Sequence, residues 1–239
     1  MKQVLIVDDD PNILFLISEV LTRNGFEVVV PARQICCGAL SIHAGERPVA
    51  KEMARANITA FGTNRGGAFD AILVNAAGCG VAMKEYGDLL KDDVQWRAPA
   101  EAFAAKVRDV SEFLAARGIA TPGRPIKKRV TYQDPCHLAH GQGVRAQPRQ
   151  LLQSIPGIQW VEMRDSDHCC GSAGIYNIAH PDIALQVLDA KMENIAATEP
   201  QIIVTANAGC MLQLQLGVQR AGLKAEVLHV VELLDRAYR

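Results

Sequence analysis

Cys36-Cys37-Gly38 and Cys169-Cys170-Gly171 are the same tripeptide written twice in one chain, 133 residues apart. A second shared phrase follows each copy. Asn75-Ala76-Ala77-Gly78-Cys79 answers to Asn207-Ala208-Gly209-Cys210, and these two cysteines lie 131 residues apart. A spacing kept to within two residues over that distance indicates an internal duplication. Chance placement of single cysteines would not also repeat the flanking glycines. The second copy has a leading cysteine, Cys136, in Gln133-Asp134-Pro135-Cys136-His137. The first copy has no equivalent: counting back a similar distance from Cys36 reaches Val4-Leu5-Ile6. The seven cysteines therefore divide as three and four.

Strand and helix alternate around these phrases. Gln3-Val4-Leu5-Ile6-Val7 is an apolar, β-branched run stopped by Asp8-Asp9-Asp10-Pro11, the pattern of a buried parallel strand. Residues 12–23 carry apolar side chains at Ile13, Leu14, Leu16, Ile17, Val20 and Leu21, which predicts a helix closed by Asn24-Gly25. Val28-Val29-Val30 is the next strand, 42–60 a helix constrained by Pro48, Ala71–Val74 a strand, and 99–117 a long Ala-rich helix. Thr121-Pro122-Gly123-Arg124-Pro125 reads as a linker. The pattern then restarts: strand at 130–132, a short helix opening at Pro148, strand at 160–162, helix at 181–197, strand at 202–204. The expectation is an α/β fold of two duplicated open parallel-sheet units with helices packed on them, residues 1–120 and 126–239, related by a pseudo-twofold axis. In both units the cysteines fall where strands end, the edge at which open α/β sheets gather ligands.

Composition narrows the function. With 49% hydrophobic and 21% charged residues in 239, the chain has the makeup of a globular protein able to bury a core without disulfides. A net charge of −1 and 5% aromatic residues argue against nucleic acid as a partner. No apolar run approaches the ~20 residues of a membrane span. Met1-Lys2-Gln3-Val4 enters a strand at once, unlike a signal peptide, so a cytoplasmic location is expected. Disulfides are rare there, and clustered cysteines point to metal or redox chemistry.

Single cysteines often pack as small buried hydrophobes. Adjacent Cys-Cys pairs beside Gly, occurring twice, have no such packing logic, because adjacent side chains of a strand point to opposite faces. In a loop next to Gly both can turn toward one centre. Two disulfides would account for the second copy but leave a thiol over in the first. A thiolate-bound centre accounts for both. Iron–sulfur clusters normally take four thiolates, and tetrahedral zinc competes for the same donors. Cys136, Cys169, Cys170 and Cys210 are a full set. Cys36, Cys37 and Cys79 are three, enough for an incomplete or open site. His43, His137, His140 and His168 lie near the motifs as accessory candidates.

These phrases carry a resemblance. Cys36-Cys37-Gly38-Ala39-Leu40, Asn75–Gly80, Lys84-Glu85-Tyr86-Gly87, Asp134-Pro135-Cys136-His137-Leu138 and Cys169–Gly174 resemble the tandem cysteine-rich CCG domain. That domain occurs in heterodisulfide reductase, in lactate-utilisation proteins and in the iron–sulfur subunit of glycolate oxidase, and the wording is nearest the last. The resemblance implies an iron–sulfur electron-transfer module of a 2-hydroxyacid oxidoreductase, a non-catalytic subunit or fragment whose partners are a flavin-containing subunit and an electron acceptor. It assigns the cluster to all seven cysteines, with Cys136, Cys169, Cys170 and Cys210 as the complete ligand set. Two features depart from it. Cys79 and Cys210 each close their motif alone, without the C-x-x-C ending of heterodisulfide reductase. The C-x2-C-x2-C ferredoxin signature of the glycolate oxidase subunit is absent.

Residues 1–24 are instead similar to the first strand and helix of a response-regulator receiver domain, with Asp8 and Asp9 as a residual Mg²⁺ pair. The receiver's acceptor aspartate has Asn75 in its place, and an amide cannot accept a phosphoryl group. A receiver βα unit spliced onto a CCG domain would explain both halves of the pattern. The alternatives to electron transfer are a chimeric or designed α/β scaffold without metal, and a receiver-type signalling protein.

Overall fold

The computed structural model describes residues 2–7, 11–62 and 69–239. The chain divides into two compact units, Met1–Phe113 and Leu114–Arg239. In the first, strand β1 (Lys2–Val7) leads to helix α1 (Pro11–Arg23) and strand β2 (Phe26–Val29). Helices α2 (Ala39–His43) and α3 (Arg47–Gly62), strand β3 (Ala71–Val74) and helices α4 (Ala77–Lys84), α5 (Tyr86–Leu89) and α6 (Arg97–Ala104) follow. Strand β4 (Val107–Asp109) runs directly into α7 (Val110–Arg117). The sheet order is β2-β1-β3-β4, and every pair is parallel.

The second unit repeats this plan. It comprises β5 (Arg129–Tyr132), a π-helical turn at His137–Gly141, α8 (Ala146–Gln153), β6 (Gln159–Trp160), α9 (Tyr176–Ala179), α10 (Pro181–Ala196), β7 (Ile202–Thr205), α11 (Ala208–Ala221), β8 (Glu226–His229) and α12 (Val230–Tyr238). Its sheet order is β6-β5-β7-β8, again all parallel. The fold is the α/β class that the alternating pattern predicts. No helix among the described residues is long and apolar enough to cross a membrane.

Burial explains the strands. Val4, Leu5 and Ile6 are all buried, as is the whole of β3 and of β7, so no polar face alternates with an apolar one. Such strands need cover on both faces, which parallel sheets obtain from crossover helices. α1 presents Ile17, Val20 and Leu21 inward and leaves Phe15 exposed. α10 buries Ala184, Leu188, Met192 and Ile195 along one stripe, against Ile203 and Leu214.

Two segments differ from the sequence expectation. Residues 99–117 are not one helix: α6 stops at Ala104, and Val107–Asp109 adds to the sheet edge beside β3. Fully buried Val107 and the Lys106 ammonium, which donates to the Phe69 carbonyl (3.1 Å) and sits over its ring, hold this segment extended. Tertiary contact overrides the helical preference of the alanines. Likewise 42–60 is two helices, α2 and α3, parted at Gly45 in the left-handed region (φ 82°), with Pro48 in the first turn of α3.

Both units end the same way, with a strand residue that caps the final helix. The His229 ring accepts from the Val231 amide (3.2 Å), and Glu232 reaches back to the His229 amide. The Asp109 carboxylate accepts from the Ser111 amide (2.8 Å) and from the Ser111 hydroxyl. Its second oxygen is buried without a partner. Burial pushes the Asp109 carboxyl up to about 6, against the Ser111 bonds that lower it. Between about pH 4 and pH 6 the folded chain keeps a proton that the unfolded chain has released. The stability that Asp109 contributes is therefore fully present below pH 4 and is lost as pH rises through 6. The total is on the order of 3 kcal/mol. Asp109→Asn mimics the protonated form, so urea unfolding should show it gaining on the parent protein as pH rises from 4 to 7. A difference independent of pH would show that Asp109 is ionised in the folded chain throughout.

Candidate metal centre

In the second unit three strands deliver four thiols to one edge. β5 continues into Gln133-Asp134-Pro135-Cys136. The chain after β6 reaches Cys169-Cys170, and β7 passes through Ala206-Asn207 to Cys210 in the first turn of α11. The strand order changes direction between β5 and β7, and the crevice outside such a switch is where open α/β sheets hold ligands. The thiols touch in series: Cys136 with Cys169, Cys169 with Cys170, Cys170 with Cys210. All are free; Cys170 and Cys210 are buried, Cys136 and Cys169 half-buried.

The series has an electrostatic polarity. Hydrogen bonds from Cys136 and Cys170, with a further one from the Gly171 amide (3.3 Å), hold Cys169 far below the usual thiol range. Cys210 is also lowered, first by Cys170 and then, against its burial, by the Asn207 amide at 3.6 Å. Cys136 and Cys170 are pushed up by the thiols they serve and by burial. Two sulfurs thus accept and two donate. Thiolates are the form that binds metal. Among the described residues no three His, Cys, Asp or Glu side chains surround a point that a single metal ion could occupy. The donor set nevertheless suits a multi-iron cluster, which takes four cysteine sulfurs.

The loops bearing these thiols are stapled together. Arg149 on α8 grips buried Asp134 with two nitrogens (2.9 and 2.6 Å) and also binds Glu162 and the Ser166 hydroxyl. Ser166 in turn donates to Asp134 (2.8 Å), and the Asp134 amide donates to the Ser166 carbonyl (2.9 Å). Asp134 lies two residues before Cys136, and Ser166 three before Cys169, so one network sets their separation. Thr205 at the end of β7 donates to Gln133 (2.7 Å) and ties in the third strand. The Arg149 guanidinium is raised still further by Asp134 and lies over the Tyr132 ring.

In the first unit Cys36 and Cys37 follow β2, and Cys79 lies in the first turn of α4 after β3. Cys37 contacts both of the others. Cys36 pulls the Cys37 thiol down, but Cys79 and burial outweigh it and push the thiol up to about 12. The turn is held by neutral groups. The Asn57 amide donates to the Cys36 carbonyl (3.1 Å) and accepts from the Ile35 amide (3.0 Å), while the Tyr86 hydroxyl donates to the Cys37 carbonyl (2.8 Å).

Two stretches of the chain, residues 5–84 and 130–215, match the cysteine-rich domain CCG. The chain belongs to the CCG family. It is 44% identical over 223 residues to the probable glycolate oxidase iron-sulfur subunit of Bacillus subtilis, covering 92% of this chain and 50% of that one. It is 36% identical over 229 residues to a subunit of the fumarate reductase (CoM/CoB) of Methanothermobacter marburgensis, covering 95% and 44%. With lactate utilization protein A of Oceanobacillus iheyensis it shares 32% identity over 218 residues, covering 91% and 87%. This CCG chain spans about half the length of the first two relatives.

The first CCG match reaches back to Leu5, and β1 lies inside its sheet between β2 and β3. The segment read as receiver-like is therefore an integral part of the CCG unit. Register shows what stands for the missing cysteine. The two capping residues Asp109 and His229 pair with Val74 and Thr205, so Leu5, paired with Ile72, answers to Thr131, paired with Ile203, and Cys136, five residues on, corresponds in sequence to Asp10. Asp8 and Asp9, the suggested Mg²⁺ pair, lie outside the described residues. His137 lies 3.6 Å from the Cys136 sulfur. His43, His140 and His168 are exposed, and His140 bonds Arg145. Arg149 and Ser166 were not visible as site residues in the sequence: each acts through a partner far along the chain.

The CCG glycine has two reasons to be glycine. Gly171 is left-handed (φ 91°), and an added Cβ would stand 2.4 Å from the Ala184 carbonyl oxygen on α10. Gly171→Ala should cost on the order of 1–3 kcal/mol from overpacking, with positive-φ strain in addition. Gly143→Ala, also at positive φ but in open space, should pay only the strain. Thermal denaturation of the two variants separates the effects. Equal losses would mean that α10 yields to the added methyl.

Proposed function

We propose that this chain is an iron–sulfur electron-transfer module of a 2-hydroxyacid oxidoreductase assembly, with Cys136, Cys169, Cys170 and Cys210 as the cluster ligands. The observation that carries the reading is the group of four free, mutually contacting thiols at the switch point of the second sheet, two of them already favoured as thiolates. The names of the relatives support the same reading, an iron–sulfur subunit among them. A thiolate-held iron–sulfur cluster supplies one-electron transfer when bound.

The protein's own residues would prepare and shield that site. The Gly171 amide and the Asn207 side chain direct hydrogen bonds at sulfur, a means by which proteins adjust cluster potential. Buried Cys170 and Cys210 keep the inner side dry, and half-buried Cys136 and Cys169 mark the side from which an electron can enter. No acid or base is required for this work. The first unit's Cys36, Cys37 and Cys79 would hold a three-thiol site with one position open. A flavin-containing subunit and an electron acceptor are the partners this role requires, and a cytoplasmic location suits it.

Anaerobic reconstitution with iron and sulfide, followed by visible and EPR spectra and elemental analysis, tests the assignment. The parent chain should develop a cluster absorption band. Replacing Cys169 and Cys170 together by Ser should remove most of the bound iron. Replacing Cys36 and Cys37 by Ser should leave most of it in place. No absorption band and no metal would overturn the reading. Zinc retained without colour would reassign the second site to a tetrahedral zinc centre.

A further inference from the structure

The helix after each Cys-Cys-Gly turn is sixteen residues long, α3 in the first unit and α10 in the second. The fourth residue of each, Ala50 and Ala184, packs against the CCG glycine, so the two helices correspond residue by residue. Their eleventh residues are Asn57 and Lys191. Both are buried, and both bind backbone of the segment leading to the cysteine pair. Asn57 is neutral and holds Ile35 and Cys36. The Lys191 ammonium donates to the carbonyls of Asp165 (2.8 Å) and Ser166 (2.9 Å). Asp165 has a left-handed backbone (φ 50°), a conformation that a bond to its carbonyl helps to fix.

A buried ammonium held by neutral carbonyls projects its charge onto its surroundings. Burial lowers the Lys191 ammonium below its ordinary range, and the groups whose charge opposes that loss are Cys170, Asp134, Asp167 and Cys169. Asp134 is already paired with Arg149, and Asp167 with Arg145. The carbonyls that Lys191 binds lie four and three residues before Cys169, which sets its buried charge beside the cysteine turn. In low dielectric such a charge is little screened.

We propose that Lys191 is a positioning residue of the second site, whose buried positive charge offsets the thiolate charge and favours the electron-rich state of the group held there. This rests on the electron-transfer reading above. It also makes the two units electrically unequal, because the corresponding residue in the first unit is the neutral Asn57.

The test uses the full chain reconstituted anaerobically, with Lys191→Gln, Lys191→Met and Lys191→Arg beside the parent, each checked for folding by circular dichroism. The Gln variant keeps a donor for the carbonyls, as Asn57 does. Redox titration with dithionite as the electron donor, followed by EPR, reads the midpoint. Both neutral variants should show at least a tenfold lower ratio of reduced to oxidised cluster at fixed potential, equivalent to a shift of about 59 mV to the negative for one electron. Lys191→Arg should stay close to the parent. Folded neutral variants that lose iron while the Arg variant keeps it would also support a requirement for charge. Neutral variants that hold a cluster at the parent potential would overturn the proposal and leave Lys191 a clamp on the 165–166 turn. Loss of iron from all three folded variants would overturn it too, showing that shape rather than charge is required. Failure of the parent to take up iron would sink the electron-transfer reading, and this proposal with it; that failure shows in the parent arm alone.

Discussion

A glycine without a Cβ lets each helix after a cysteine pair lie close to the turn that carries the thiols. A Cβ on Gly38 would stand 3.3 Å from the Ala50 backbone, and Gly171 leaves no room between itself and the Ala184 carbonyl. Both are left-handed, so the chain reverses just after the second cysteine. That reversal lets neighbouring thiols contact each other instead of pointing apart as they would in a strand. The remaining cysteines reach the same place because β5 and β7, like β1 and β3, are adjacent parallel strands whose carboxyl ends share one edge.

Duplication supplied the scaffold twice, but its polar fastenings differ. In the first unit amide and phenol groups hold the cysteine turn: Asn57 and Tyr86. In the second, charged groups do so: Arg149 with Asp134, and Lys191 with the 165–166 carbonyls. A buried ion pair seldom adds net stability over an apolar substitute, yet breaking one is costly. Its value in the second unit is geometric. Asp134 and Ser166 are near neighbours in sequence of two different cysteines, Cys136 and Cys169, so their shared partner Arg149 ties the two thiol-bearing segments together.

The parallel strands were legible because burial on both faces leaves uniform apolar runs, as in Ala71–Val74 and Ile202–Thr205. The cysteines were legible because their spacing repeats with their glycines. β4 was not, because three residues inside an alanine-rich stretch give no periodic signal, and only pairing with β3 makes them a strand. β8 was missed as well: Glu226–His229 is an edge strand whose pairing with β7 is not written in its own residues. Arg149 and Lys191 read as ordinary charges on helices. Their role depends on which loop folds over them, through partners 15 and 26 positions away.

The missing cysteine of the first unit changes more than a count of ligands. The corresponding sequence position holds Asp10 within a run of three aspartates. A carboxylate is a hard oxygen donor, matched to cations such as Mg²⁺, whereas thiolates select iron–sulfur clusters and zinc. Three sulfurs are a poorer match to a cluster than four. The second cysteine of each pair is pushed up in both units: Cys37, against the pull of Cys36, by Cys79 and burial, and Cys170 by its thiol neighbours and burial. The number of thiols and the charge beside the turn separate the two copies. The two similar sheets therefore carry unlike sets of donors, three thiols beside a neutral amide in the first and four beside a buried ammonium in the second.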